Sequence, residues 1–490
     1  MPEVEKKEWA IVIDSWGGFA PAWFENAYPF YGNKSHASDM VNADITDPNV
    51  LKPGPAVANL TNGTQAGAVT TLIRSILKTA VTSDVTYACG GAKYYQLSSS
   101  TVTSGATYPH TIDKAAVTGE DAEDLVYHKS IIYVFYNHSG SAGDIMKDNA
   151  GTIDDDWGST VPTGMGTLQS APHQAINGGD DDVYFTNGQY VGAIRASGSL
   201  ELTALDFWTN AQAVSLTWNG NRVIIAVNRP NITGSNFNQS GIYYWNGTSS
   251  SWEGDPIEVS GRIGALYTKN GTTYVWWQDG TDTGGFIFGY ITNGTVQILK
   301  RFKGSLPLFY QVGEYKGFIM WVSSGLVYLW GAKEADSAVT LSQYCQGSYT
   351  TSVGGIAAPF GTLLIASSDG GSNYSLAKTS TTYVTNFSWN TLAFKVGGCG
   401  FNSQLDIIQV ETEPLTSGAK ANFTISYDKA KSSLTIDSIS YSATTNITKH
   451  KIMNRGPIVE DFKINIDNVG STTLVKIRSI LIKGWYIKDN

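Results

Sequence analysis

Residues 265–299 read ALYTKNGTTYVWWQDGTDTGGFIFGYITNGTVQIL and contain four apolar segments separated by turns. β-Branched and aromatic residues dominate these segments, and such residues favour strands. Asn270-Gly271 and Asn293-Gly294 stand between segments, and Asn-Gly is typical of a tight hairpin turn. The stretch from about Gly261 to Phe302 therefore predicts one antiparallel sheet of four strands.

Comparable aromatic or aliphatic strands recur along the chain at a nearly regular spacing. Their centres, separated by 46, 51, 40, 50, 45 and 45 residues, are Tyr87, Tyr133, Tyr184, Ile224, Tyr274, Ile319 and Leu364. A four-stranded propeller blade needs about 40–50 residues. The repeat predicts an all-β fold with a β-propeller of about seven blades over 61–390. Val69, Leu72, Ile73, Ile76 and Leu77 have helical spacing, but their position favours the inner strand of the first blade.

The two ends of the chain lack the blade pattern. Phe423, Ile425 and Tyr427 alternate with polar residues, as expected of a strand with one wet face. We therefore predict a small antiparallel β-sandwich over 391–490. Residues 1–60 are expected to form an extended N-terminal arm. Its part 15–55 should be ordered only on a neighbouring subunit, because its aromatic residues have no blade to join: Trp16, Phe19, Trp23, Phe24, Tyr28, Phe30 and Tyr31.

Composition excludes several classes of protein. The 52 Gly, 14 Trp and 26 Tyr suit short strands and turns. The net charge of -9 argues against a protein that coats nucleic acid or binds an anionic membrane. No apolar run is long enough for a membrane span, and the charged start is unlike a signal peptide. Cys89, Cys345 and Cys399 are few and far apart, so synthesis in a reducing cytoplasm is expected. The thirteen Asn-x-Ser/Thr sequons, several of them Asn-Gly-Thr, are interpreted as turn chemistry.

The layout resembles the tail-nozzle (tail hub) family of short-tailed bacteriophages. Four places carry the resemblance: the lead-in 44–54, the first-blade stretch 72–95, the loosely repeated middle, and the closing stretches 455–462 and 474–482. The resemblance implies a homo-oligomeric ring, a hexamer in this family, that forms part of a DNA channel. It also implies contacts with other tail, adaptor and fibre proteins, a role in viral genome ejection, and a place in the virion.

A propeller can also carry an enzyme, so the fold alone does not decide whether the chain is catalytic. Ser367–Tyr374 resembles the Asp-box of sialidase-like propellers, where it is a hairpin-turn device away from the active site. A sialidase needs several converging arginines, but here arginines are spread singly, at Arg74, Arg195, Arg222, Arg229, Arg262 and Arg301. No nucleophile elbow or P-loop is present. We predict no catalytic residues and no enzymatic activity.

The sequence gives equally little indication of a metal or ligand site. The acidic runs Asp154–Asp156 and Asp180–Asp182 lack calcium-loop spacing and are interpreted as solvated turns. No two histidines have metal-ligand spacing; they are His36, His110, His128, His138, His173 and His450. Trp276-Trp277 and Tyr243–Trp245 could stack on sugars, although one residue of each set is expected in the core. We predict no metal and no cofactor.

These observations favour a structural component of a bacteriophage tail, a nozzle- or hub-like ring protein that DNA passes without specific binding. A receptor- or glycan-binding tail-tip protein is the alternative, and a sialidase-like glycosidase is a distant third.

Overall fold

The computed structural model describes residues 7–20, 35–47, 49–62, 69–115, 117–138, 142–160, 168–169, 172–231, 234–280, 284–332, 339–396, 401–427, 432–440, 447–468 and 475–488. Within these ranges the chain is all-β, apart from the four-residue helix Trp157–Thr160 and the 3-10 turn Phe309–Gln311. No described helix is long and apolar enough to cross a membrane.

In the described residues, seven blades of four main antiparallel strands follow one another along the chain, and blade 6 is part of a larger sheet. Their strands, from the first to the last of each blade, are Ser75–Ile76, Thr86–Gly90, Lys93–Leu97 and Thr101–Val102 (blade 1); Asp121–His128, Ile131–Asn137, Ala142–Asn149 and Thr152–Asp154 (blade 2); Ala175–Asn177, Val183–Asn187, Tyr190–Ile194 and Leu200–Asp206 (blade 3); Gln212–Asn219, Arg222–Asn231, Gly234–Trp245 and Glu253–Ser260 (blade 4); Arg262–Lys269, Thr272–Gln278, Gly285–Thr292 and Thr295–Lys303 (blade 5); Val312–Tyr315, Phe318–Ser323, Leu326–Gly331 and Thr340–Gln346 (blade 6); and Ser352–Ala357, Leu364–Ser368, Tyr374–Tyr383 and Pro55–Asn59 (blade 7). Two short strands, His110–Thr111 and Leu168–Gln169, add to blades 1 and 2, respectively.

The first strands of the blades close a ring. Each contacts the first strand of the next blade, and Ser352–Ala357 of blade 7 contacts Ser75–Ile76 of blade 1. All seven strand centres expected from the sequence lie on second strands. The predicted all-β propeller of about seven blades is confirmed.

The predicted sheet around residues 261–302 is blade 5. Asn270 and Gly271 have φ values of 49° and 77°, and Asn293 and Gly294 have 49° and 72°. Positive φ at both central residues is the geometry that Asn-Gly turns tolerate best. Among the apolar residues with helical spacing before the first blade, only Ile76 lies in a strand, and no helix forms there.

The N-terminal region is organised differently from the sequence-based expectation. Pro55–Asn59 pairs with Tyr374–Tyr383 as the outer strand of blade 7, and Thr61–Asn62 pairs with Thr101–Val102 of blade 1. Lys7–Ile13 pairs with the C-terminal strand over seven residues, from Lys7 opposite Tyr486 to Ile13 opposite Ile480. The described N-terminal residues therefore contribute strands to both domains and do not form a separate arm, because strands of the propeller and of the sandwich supply their hydrogen-bond partners.

Two of the aromatic residues expected to pack on a neighbouring subunit pack within the chain instead. Trp16 is fully buried and packs edge-on against Trp389 at 4.8 Å, while Phe19 packs against Phe302 and Tyr328. The other five lie outside the described residues: Trp23, Phe24, Tyr28, Phe30 and Tyr31.

Two sheets packed around one core form the sandwich. The first contains Lys7–Ile13, Ile477–Lys488, Phe401–Thr412, Thr448–Asn454 and Ile458–Val459; the second contains Gly18–Phe19, His36–Val41, Ser388–Thr391, Phe394–Lys395, Asp461–Asp467, Lys420–Tyr427 and Ser432–Ser440. Their inner residues form a single apolar cluster that includes Ile408 and Ile480 from one sheet and Phe423 and Ile464 from the other. Both termini thus contribute to this domain.

The sandwich and the propeller share one continuous sheet. Gly18–Phe19 runs parallel to the outer strand of blade 6 on one side and to His36–Val41 on the other. Gly18 has φ +81°, and a Cβ there would lie 2.1 Å from the Leu341 carbonyl oxygen. The short pair Ala43–Asp44 and Lys52–Pro53 follows, with an ion pair of 3.1 Å between Lys52 and Asp44.

Candidate functional site

The central channel of the propeller is a candidate site, because the inner strands of all blades meet there around a concave space. Residues 309–311 contact the inner strands of blades 1, 5 and 7, so this turn lies within the ring. Beside it is a cavity of about 240 Å³ with both polar and aromatic walls. Side chains lining it include those of Lys78, Asp124, Gln174, Trp218, Tyr267 and Tyr310.

Lys78 and Asp124 are the charged groups of this cavity. The Lys78 ammonium donates hydrogen bonds to the carbonyl oxygens of Phe309 and Val312 and lies 5.8 Å from the Tyr267 ring centre. Lys78 keeps contact with solvent, but the channel walls around its ammonium limit hydration and lower the pKa of that group. Lys78 thus fixes the turn that occupies the ring.

Asp124 links three blades. One carboxylate oxygen accepts a hydrogen bond from the Ser75 hydroxyl at 2.5 Å, and the other accepts one from the Ala175 N–H at 2.8 Å. Burial raises the pKa of Asp124 to about 6, although both hydrogen bonds and the charge of Lys78 oppose that rise. Gln174 bonds the backbone of Leu216 on blade 4 through both amide atoms.

A second cluster of charged residues lies where the inner strands of blades 1 and 2 begin. Arg74 pairs with Asp121 at 2.7 Å and with Glu123. Burial raises the pKa of Glu123, and Arg74 counteracts this rise. Burial also raises the pKa of Tyr310 to about 12, against the attraction of Arg74. Two carboxylates thus share one guanidinium, which holds blades 1 and 2 together.

The sialidase-like motif forms a turn, as the sequence predicted. Asp369 lies between the second and third strands of blade 7, and its carboxylate accepts hydrogen bonds from the backbone N–H groups of Gly371 and Asn373 and from the Asn373 amide. These bonds, led by the one from the Asn373 amide, lower the pKa of Asp369.

The acidic runs are engaged in local structure. Asp155 bonds His110 at 2.9 Å, Asp182 pairs with Arg195 at 2.9 Å, and Asp180 accepts a hydrogen bond from Tyr184. Within the described ranges no group of three or more His, Cys, Asp or Glu residues could hold a metal ion.

The histidines and arginines do not converge on one place. His173 is fully buried on blade 3, bonded to the Thr186 carbonyl and to Asn137, and burial lowers its pKa to about 4. Arg195, Arg222 and Arg229 each pair with a carboxylate of their own blade: Glu201 and Asp182 for the first, Glu253 for the second, and Glu258 for the third.

The aromatic sets that suggested sugar stacking lie mostly in the core, and Tyr244 alone among their members is partly buried. Trp276 packs with Trp321 of blade 6, whereas Trp277 packs with residues of blade 4, and both are buried. Alternation along the strand does direct neighbours to opposite faces, but both faces of a blade are covered by other blades. Tyr243 and Trp245 are likewise buried.

An aromatic cluster that the sequence did not indicate lies at the boundary of blades 3 and 4. Phe207 and Trp208 follow the last strand of blade 3, and Trp252 precedes the last strand of blade 4. Phe207 stacks on Trp252 at 5.4 Å, and Trp208 meets Trp252 edge-on at 6.3 Å. These tryptophans are only partly buried. Their positions in two separate loops gave no shared signal in the sequence.

Comparison with known proteins identifies no family. No family model and no curated protein matches the chain. Among solved structures, an exo-β-1,3-galactanase from Phanerochaete chrysosporium is 9% identical over 66% of this chain and 98% of its own, with a TM-score of 0.28. A glycoside hydrolase family 43 arabinoxylan arabinofuranohydrolase from Bacillus subtilis is 11% identical over 86% and 96%, with a TM-score of 0.28. The extracellular domain of a hybrid two-component system from B. thetaiotaomicron is 10% identical over 90% and 60%, with a TM-score of 0.45.

Proposed function

We propose that this protein is a non-enzymatic structural component of a bacteriophage tail, a ring-forming subunit of nozzle or hub type. The observation that carries the proposal is the continuous sheet from blade 6 into the sandwich, to which the N-terminal strand Gly18–Phe19 contributes. A shared sheet couples two domains more stiffly than a linker does, and a ring subunit must keep its shape while neighbours bind it.

The stretches that resemble the nozzle family fall at structurally consistent places, which supports the proposal. The lead-in around Asp44 and Lys52 connects the shared sheet to the outer strand of blade 7. The stretches near Ile76 and Tyr94 form blade 1, and the C-terminal strand Ile477–Lys488 lies at the centre of the first sandwich sheet.

The channel chemistry favours a scaffold over a glycosidase. A glycosidase needs two carboxyl groups facing the scissile bond, with one of them available as an acid and the other as a base or nucleophile. Asp121 and Glu123 are both held by Arg74, and Asp124 is held between Ser75 and Ala175. Residues 309–311 also occupy the ring beside them. We infer that these carboxylates connect blades and do not turn over a substrate.

Imaging of assembled particles tests the tail assignment. The protein carrying a fused density label should be found in the tail of the particle, in several copies around the axis, with six expected from the family resemblance. Purified particles that lack the label, while free protein accumulates in the lysate, would contradict the assignment.

A separate assay tests the absence of catalysis. The purified full-length protein is expected to release no product from sialosides or common polysaccharides. Turnover that disappears in Asp121→Asn or Glu123→Gln, with unfolding transitions matched to the unsubstituted protein, would show that the channel is an active site.

A further inference from the structure

The aromatic cluster between blades 3 and 4 has features beyond those of a packing contact. It comprises Phe207, Trp208, Tyr243 and Trp252, together with the ion pair Arg229–Glu258. The deeper boundary of these blades is already filled by buried residues such as Leu205 and Trp245. Trp208 and Trp252 add large, partly exposed rings at the outer end, where connecting segments usually carry polar residues.

Both tryptophans are held in place by their loops. The Phe207 N–H donates to the Gln189 carbonyl, and the Ala211 N–H donates to the Trp208 carbonyl at 3.0 Å. In the other loop, the Asn246 side-chain oxygen accepts hydrogen bonds from the N–H groups of Thr248 and Ser249. The chain continues from this turn to Trp252. Rings ordered before a ligand arrives lose little conformational entropy on binding.

A charged pair lies directly beside the rings. The Arg229 guanidinium is 5.0 Å from the centre of the Trp208 ring and contacts the Glu258 carboxylate at 3.1 Å. The Glu258 side chain is 58% exposed, so its oxygens retain acceptor sites for a ligand. Gly241 makes this arrangement possible, since a Cβ there would approach the Tyr243 ring to 2.8 Å and the Arg229 Nη2 to 3.1 Å.

Rings combined with a charged donor and acceptor match the chemistry of a pyranose sugar. One face of a pyranose presents C–H groups that pack on an indole ring, while its vicinal hydroxyls both donate and accept hydrogen bonds. The Glu258 side chain is 58% exposed and that of its partner Arg229 only 25%, so the pair presents mainly negative charge to the solvent, which disfavours an anionic sugar or an anionic lipid. The site therefore selects for a neutral sugar.

We propose that Trp208, Trp252, Arg229 and Glu258 form a binding site for a neutral pyranose residue of a surface polysaccharide. The indole rings supply the stacking surface, Arg229 donates to a sugar hydroxyl, and Glu258 accepts from its neighbour. This inference goes beyond the tail assignment and does not depend on it, because it concerns a site on the single chain.

Saturation-transfer NMR on the purified full-length protein tests the proposal. The probes are galactose, glucose, mannose, fucose, rhamnose and N-acetylglucosamine, with sialic acid as the anionic comparison and a proline-rich peptide as a non-sugar ligand. At least one neutral sugar should receive saturation, and sialic acid should receive none. Transfer to the peptide alone, or to none of the probes, overturns the proposal.

Substitutions locate the site. Trp208→Ala and Glu258→Gln should each weaken the binding of that sugar by roughly tenfold, the loss expected from one stacking contact or one charged hydrogen bond. The matched control is Trp330→Ala, since Trp330 is a similarly half-buried tryptophan on blade 6. Glu258→Gln keeps the size of a largely exposed side chain and removes only its charge, so it remains informative if Trp208→Ala unfolds. Binding that is unchanged in Glu258→Gln would place the sugar elsewhere and overturn the proposal.

Discussion

At the scale of single residues, the polar groups of the propeller channel stabilise the junctions between blades and carry their own pH dependence. Asp124 is the clearest case. Its pKa of about 6 lies above the ordinary value of an aspartate, because burial penalises the carboxylate. The folded protein thus binds a proton at Asp124 between about pH 4 and 6, where the unfolded chain does not, and its contribution to stability decreases as pH rises through that window.

We expect Asp124→Asn to remove this decrease. From pH 4 to 6.5 the free energy of unfolding of the unsubstituted protein should fall relative to the variant by up to about 3 kcal/mol. Urea titrations followed by tryptophan fluorescence at several pH values measure the difference. Parallel curves for both proteins would mean that Asp124 does not titrate in this range.

His173 should have the opposite effect on the pH dependence of the free energy of unfolding. Burial lowers its pKa to about 4, so the unfolded chain binds a proton more readily between about pH 4 and 6.5. Its contribution to stability is complete above the ordinary histidine pKa and is lost as pH falls towards 4.

In His173→Asn the amide nitrogen can replace Nδ1 as the donor to the Thr186 carbonyl, while the titrating ring is absent. The variant should therefore lose less stability on acidification than the unsubstituted protein, by up to about 3 kcal/mol at pH 4. The same urea titrations serve as the measurement. An equal acid loss in both proteins would show that other groups control this pH range.

At the scale of elements, local patterns predicted the strands well and their partners poorly. Blade 5 follows directly from its Asn-Gly turns and aromatic strands, because each strand of that sheet pairs with the strand next to it in the chain. The partner of Pro55–Asn59 lies more than 300 residues away, and no local signal identifies it. Trp16 is another such case, since it is buried against Trp389. The partly exposed tryptophans Trp208 and Trp252 were missed for the same reason, because they lie in two separate loops that meet only in the fold.

The pairing of Pro55–Asn59 predicts how the propeller responds to truncation. Deleting residues 1–62 removes the outer strand of blade 7 and exposes buried apolar residues beneath it, including Leu376 and Ala377. We expect this variant to aggregate or to be cut rapidly by protease, whereas deletion of residues 1–6 should leave the protease resistance unchanged. Limited proteolysis with a propeller-specific antibody gives the comparison. A stable, soluble product from the longer deletion would show that the closing strand is dispensable.

At the scale of the whole molecule, charge decides how a tail subunit could meet DNA. The chain has 42 acidic and 33 basic residues, and a ring that conducts DNA must avoid holding it. Each phosphate neutralised by a basic wall adds salt-dependent affinity, so many such contacts would arrest the passing duplex. Acidity spread over the outside, in contrast, would serve only solubility.

These alternatives differ in where the charges lie within the assembled ring. If the protein lines the channel, Asp and Glu should outnumber Lys and Arg on the inner wall. Mapping the charges onto an image of the assembled particle measures this directly. Substituting two or three acidic residues of that wall with lysine should then slow genome ejection, most strongly at low salt, because the added contacts are screened as salt rises. The matched control places the same number of lysines on the outer surface and should eject at the normal rate. A net-basic or apolar inner wall would exclude a repulsive channel, while a structural place elsewhere in the tail would remain compatible with the fold.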